Sequence, residues 1–149
     1  MPESPTPLDR LHTAIRRSDE KEVREVLLLD ARCQNQYYIK NLIQAAGHQS
    51  QLTAFQLICT YLPSPAIIKL VFDKLEEFKQ WSIAALTVEP KSGAIGLMLA
   101  IQNGISRSMP SCRMILDYHS RRQDVKLDFF LSQKDFAGRN ILSRVSSDI

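Results

Sequence analysis

Three histidines and three cysteines are the side chains best suited to nucleophilic or acid–base chemistry in this chain, and one pair of them is suitably spaced. Cys112 and His119 stand seven residues apart, which on a helix returns both to roughly one face after two turns. A thiol beside an imidazole is the arrangement of a cysteine nucleophile with its general base. No neighbouring residue completes a recognisable catalytic motif, and core packing of the cysteine beside a solvated histidine explains the same spacing. Cys33, Cys59 and Cys112 are odd in number, far apart and without a CxxC pair, so they indicate neither a disulfide framework nor a zinc cluster. They read as small buried apolar residues. His48, in the turn-like stretch GHQSQ, reads as an exposed turn residue.

Phosphate-cradling and metal motifs are missing as well: there is no GxxxxGK[ST], GxGxxG, HExxH or acidic metal loop. The sequence therefore predicts no catalytic residues, no metal and no cofactor. Arg107, Arg113, Arg121, Arg122 and Lys126, with Tyr118 and His119 among them, are the residue types that hold a nucleic-acid backbone. Asp117, Asp124 and Asp128 dilute that segment. Residues 91–149 carry 9 basic against 5 acidic residues and residues 1–90 carry 10 against 11, a modest excess for a phosphate-binding stripe. A small nucleic-acid-binding protein using the basic C-terminal part is thus the alternative reading, and a solvated charged face the ordinary one.

The elements that must position these residues are helical. Leu11, Ala14 and Ile15 form one amphipathic stripe, and Asp19 with Glu22 makes a capping-box-like start for a second helix buried through Val23, Val26 and Leu27. A second pair is expected from Leu42, Ile43, Ala45 and Ala46, then Leu52, Phe55, Leu57 and Ile58. After Leu62 and the stop PSP, Ile68, Val71, Phe72 and Leu75 give the clearest period in the chain, followed by Trp81, Ile83 and Leu86. Leu97, Ala100 and Ile101 make a further stripe, punctuated by Asn103-Gly104. A loop containing Pro110 then leads to a helix through Met114, Ile115 and Tyr118. VKLDFF at 125–130 alternates only briefly and reads as helix or extended loop.

Length and composition fit one globular domain: 149 residues, 44% hydrophobic and 23% charged. MPESPTPLDR lacks the apolar core of a signal peptide, and the longest uncharged stretch, Ser92–Ser106, is shorter than the roughly 18 residues a membrane span needs. A cytoplasmic location without membrane insertion is the expectation.

Laid over each other, PKSGAIGLMLAIQNG and DFAGRNILSRVSSDI put Gly93 on Gly138, Leu97 on Leu142 and Ala100 on Val145. RLHTAIRRSDEKEVREVLLLDARCQN adds a Leu-His pair, one alanine and paired aliphatics, and NLIQAAGHQ a double alanine. This pattern resembles the ankyrin repeat, in which a glycine turns the hairpin, a Thr-Pro-Leu-His tetrad opens the first helix and alanines let it pack closely. Thr-Pro is missing in the aligned copies. Alanines 14, 45 and 100 lie 31 and 55 residues apart, against a family period of about 33.

The resemblance implies an all-α fold of stacked helix hairpins, a degenerate ankyrin-like solenoid; an irregular α-helical bundle is the alternative. Its repeats fall at about 4–34, 35–62, 90–119 and a partial 135–149, with a non-standard helical insert at 63–89 and residues 1–7 flexible. It places His12 at the tetrad histidine, bonded within the turn. It implies a non-catalytic module that binds another protein through hairpin tips and the inner face of its helix pairs. Carried over residue by residue, the binding positions are Arg16, Arg17, Gln36, Tyr37, Ile39, His48, Lys91, Gln102, Asn103, Phe136 and Arg139. Degraded copies of this kind also resemble ankyrin-like effectors that intracellular bacteria secrete, which implies a host cytosol as a second location.

Overall fold

A computed structural model of the protein describes residues 6–29, 44–47, 51–104 and 109–146. The protein is all-α: no strand occurs among the described residues. Helix α1 runs Pro7–Arg17. Thr6 caps it, accepting the Asp9 N–H at 3.1 Å, and Pro7 fits its first turn because that N–H would have no intrahelical partner. Ser18, with φ 56°, ends it, so Thr6 and Pro7 belong to the helix start rather than to a flexible leader. Asp19 caps α2 (Glu20–Arg24), as its spacing to Glu22 predicts, and a π-helical turn, Glu25–Leu29, continues it.

The helix expected through Leu52, Phe55, Leu57 and Ile58 is present as α3 (Ala54–Tyr61), but as the next inner helix rather than the second member of a pair. Leu42 and Ile43 lie outside the described residues, and Ala45 and Ala46 are not helical. A full capping box sets the start of α3: Thr53 accepts the Gln56 N–H, and the Gln56 side chain accepts the Thr53 N–H at 2.9 Å. Leu62, at φ 50°, closes α3. Pro65 then opens α4 (Pro65–Glu77), which buries Ile68, Val71, Phe72 and Leu75 as their period predicts. Short α5 follows (Trp81–Leu86). The third hairpin is α6 (Gly96–Gly104) and α7 (Met109–Ser120), with Pro110 inside the first turn of α7 rather than in a loop. VKLDFF resolves into α8 (Leu127–Ser132), and α9 is Ile141–Ser146.

These helices pack in two layers. Helices α1, α3, α6 and α9 pack in sequence as an inner row, and α2, α4 and α7 pack in sequence as an outer row. Residues 65–77, expected within an insert, are therefore the outer helix between α2 and α7. An aromatic cluster holds the centre: Phe55 stacks on Phe72 at 4.8 Å, and Trp81 meets both rings edge-on. Tyr118, His119 and Phe130 complete it from α7 and α8. Such rings bury large areas and add about 0.5–1.5 kcal/mol per well-oriented pair.

Candidate functional site

A tight turn precedes each of the last three inner helices, closed by a backbone hydrogen bond across five residues in the first two and four in the third. Gly47 donates to the Leu52 carbonyl at 3.0 Å and Glu89 to that of Ala94 at 2.8 Å; in the third turn Asp135 donates to Arg139 at 2.9 Å. The residue three before the first residue of each helix is left-handed: Gln51 at φ 58°, Gly93 at 73° and Gly138 at 76°. These stand 42 and 45 residues apart, so the structural period is longer than 33 because a third helix, α5 or α8, fits between units. The overlay of Gly93 on Gly138 agrees with these turns.

The turns form one edge of the protein and the hairpin bends the other. Phe136 N–H donates to the Ser92 carbonyl at 2.8 Å, joining two turns. Ser64 N–H donates to Ser18 Oγ at 2.9 Å, joining the bends of the first two hairpins, and Ser111 Oγ in the first turn of α7 donates to the Pro63 carbonyl at 2.7 Å.

Lys91 is exposed on the turn edge, with Phe136 (70% exposed) and Arg139 on the following turn. Arg139 is tied to Asp135 at 3.2 Å. Arg16 and Arg17 are exposed on the bend edge, in the last turn of α1. Gln36, Tyr37, Ile39 and His48 lie outside the described residues. Gln102, expected to be exposed, is half-buried and accepts the Arg144 guanidinium through Nε at 3.2 Å and Nη2 at 2.8 Å. Asn103 is half-buried beside it. The expected inner face is closed at the middle of the row: residues 54–59 and 96–100 are all buried, because AFQLIC and GLMLA are almost uniformly apolar around the helix.

Two features escape sequence reading. Tyr61, 45% exposed, ends α3 on the same edge as Arg17; the Thr53-x-x-Gln56 capping signal is what locates it. Asp135 is buried and accepts backbone N–H groups of Ala137 and Arg139, the Arg139 side chain and Arg144 Nη1 at 2.6 Å. The Arg139 N–H holds its carboxyl below the usual range, with Arg144 adding to that. Through Arg144 this carboxylate ties the third turn to Gln102 on α6.

Catalytic geometry does not form around Cys112 and His119. His119 is fully buried rather than solvated; its Nδ1 lies 2.7 Å from the Ile115 carbonyl, and burial lowers its pKa to about 4. Cys112 Sγ donates to the Ala100 carbonyl at 3.4 Å, against Gly104. Burial raises the pKa of Cys112, and that of Cys59 well above its ordinary value, so both thiols are held away from the nucleophilic thiolate form. His12, expected to bond within a turn, stands inside α1. It is buried, with its pKa lowered to about 4 by burial and then by Arg16. No group of three metal-ligating side chains gathers among the described residues.

Of the basic segment, Arg113 and Lys126 are exposed and Arg107 lies outside the described residues, while Arg121 and Arg122 pack on the protein's own rings. Arg121 lies over the Tyr118 ring at 4.2 Å; Arg122 lies over Trp81 at 4.8 Å and pairs with Glu76 at 3.0 Å. A shallow groove between α5 and α8 is lined by Leu86, Val125 and Phe129, with Asp124 and Asp128 at its rim. Among the described residues, no helix is long and apolar enough to cross a membrane. Compared with family models, curated proteins and solved structures, the chain matches none.

Proposed function

We propose that this chain is a non-catalytic protein-interaction module, a divergent ankyrin-like array that grips a partner protein along its edges. The observation that carries the reading is the recurrent unit itself: a left-handed turn residue, an inner helix starting three positions on, and an outer helix packed on its neighbour's. Thr6-Pro7-Leu8 at the start of α1 supports the same reading, since it matches the opening of the ankyrin tetrad that the aligned copies lack. Closure of the inner face at α3 and α6 shifts the contact surface to Arg16, Arg17 and Tyr61 on one edge and Lys91, Phe136 and Arg139 on the other. Tyrosine and arginine dominate interface hot spots. A reducing cytosol, of the cell itself or of a host, suits the free Cys59 and Cys112.

The test is retention of a partner from cytosol by the immobilised chain and by a variant carrying Arg17→Glu, Tyr61→Ala and Lys91→Glu. Retention by the former alone is the expected result, and equal retention by both rejects the edges as the binding surface.

A further inference from the structure

Gly93 and Gly138 occupy the same place in successive turns, yet only one is covered. The Phe136 ring lies on Gly93 so closely that a Cβ there would fall 2.7 Å from Phe136 Cε1, whereas a Cβ on Gly138 would meet nothing within 4 Å. The inner helices show the same contrast. Leu97, second residue of α6, is 0% exposed; Leu142, second residue of α9, is 77% exposed. Within the chain, a turn-plus-helix unit is thus what covers this kind of surface, through one backbone hydrogen bond to the preceding turn, one apolar side chain over its glycine, and one helix on its helix.

We infer that the surface of Phe136, Gly138 and Leu142 docks a helical segment of another protein, one that sets an aliphatic side chain on Leu142 and carboxylates beside it. Charge selects the flanking residues: Lys134 and Arg139 are the exposed charges between residues 134 and 144, both basic, whereas Asp135 is buried with Arg144, which is itself bonded to Asp135 and Gln102. The same excess disfavours a second copy docked face to face, since it would oppose like charges. Docking here extends a row the chain already builds, so the contact continues an existing interface rather than requiring a new one. This inference rests on the reading of the chain as a binding module and extends its turn edge, to which Phe136 and Arg139 also belong; Gly138 and Leu142 are what it adds.

The experiment uses the full chain, isotope-labelled, titrated with lactam-bridged helical peptides of about four turns. One peptide carries leucines at i and i+4 flanked by glutamates, and a second carries lysines in place of the glutamates. The acidic peptide is expected to shift the amide signals of Gly138 and Leu142. Both Leu142→Glu and Lys134→Glu, at exposed positions, should weaken it about ten-fold without changing Tm, and the lysine peptide should bind about ten-fold more weakly to the unaltered chain. Equal binding of both peptides, or shifts confined to the groove between Leu86 and Phe129, overturns the inference. So does a dimer in light scattering that Leu142→Glu dissociates, because the occupant is then a second copy. Loss of partner retention in the Arg17, Tyr61 and Lys91 variant leaves each of these outcomes unchanged, so the two readings fail separately.

Discussion

Phe136 rests on Gly93, with its backbone N–H on the Ser92 carbonyl at 2.8 Å, and so fastens the third turn to the second. Gly93 and Gly138 are both left-handed, so an alanine at either position carries strain of roughly 1–2 kcal/mol. Only Gly93→Ala must also displace the Phe136 ring, and thermal melts should show it to be the more destabilising by about 1–3 kcal/mol. Adding Phe136→Ala should remove that excess in a double-mutant cycle. Equal losses for Gly93→Ala and Gly138→Ala would mean that the turns are not fastened in this way.

Two neighbouring positions of α6 separate core from network. Ala100 is 0% exposed in the row between α3 and α9, so Ala100→Leu should overpack it at a cost of about 1–3 kcal/mol. Gln102→Ala removes the amide oxygen that accepts the Arg144 guanidinium, a hydrogen bond to a charged group worth about 1.5–3 kcal/mol. Chemical denaturation measures both. A Gln102→Ala variant as stable as the unaltered chain would show that Arg144 finds its partners elsewhere.

His119 makes stability depend on pH in a defined window. Burial lowers its folded pKa to about 4, below the ordinary 6.5, so the unfolded chain binds the proton more readily between those values. The stabilising contribution is complete above about 6.5 and declines as pH falls toward 4. Urea unfolding should report a loss of about 2 kcal/mol from this residue between pH 7 and 5. His12 is shifted in the same direction. The slope should flatten in a His119→Leu variant; an unchanged slope would place the proton uptake on other groups.

Burial also determines the thiol chemistry. Cys59 is enclosed beneath Gly96 and Cys112 lies against Gly104, both with raised pKa values. Labelling at these two positions by a thiol reagent at neutral pH should be slow in the folded chain and fast in urea. Rapid labelling of Cys112 in the folded chain would restore it as a nucleophile beside His119.

Amphipathic helices were legible in the sequence because their buried stripes repeat with the helix period: Leu11, Ala14 and Ile15 in α1, and Ile68 to Leu75 in α4. Helix α3 was legible through Phe55, Leu57 and Ile58, but its inner place was not, since Ala54 to Cys59 are buried on every side; the Thr53 and Gln56 cap marks its start. His119 is the polar residue type that reads as solvated, yet four aromatic partners of the core enclose the surface around it: Phe55, Trp81 and Phe130 by direct ring contact, and Tyr118 beside it in sequence. Asp135, Arg144 and Gln102 form a network only when the third turn folds back on α6, a juxtaposition no local pattern encodes. Arg16 and Arg17 were locatable because they close the readable helix α1, and Lys91 because it follows the Glu89-Pro90 break.

Site-specific photo-crosslinking tests the interaction-module reading most directly. A benzophenone side chain placed in turn at positions 17, 61 and 91 samples the two edges, and one at Lys69 samples the exposed side of α4 on the outer row. The account predicts one discrete protein adduct from cytosol at the edge positions, competed by unlabelled chain and absent at position 69. Adducts to nucleic acid alone, or the same protein adduct at position 69 as at the edges, would contradict it.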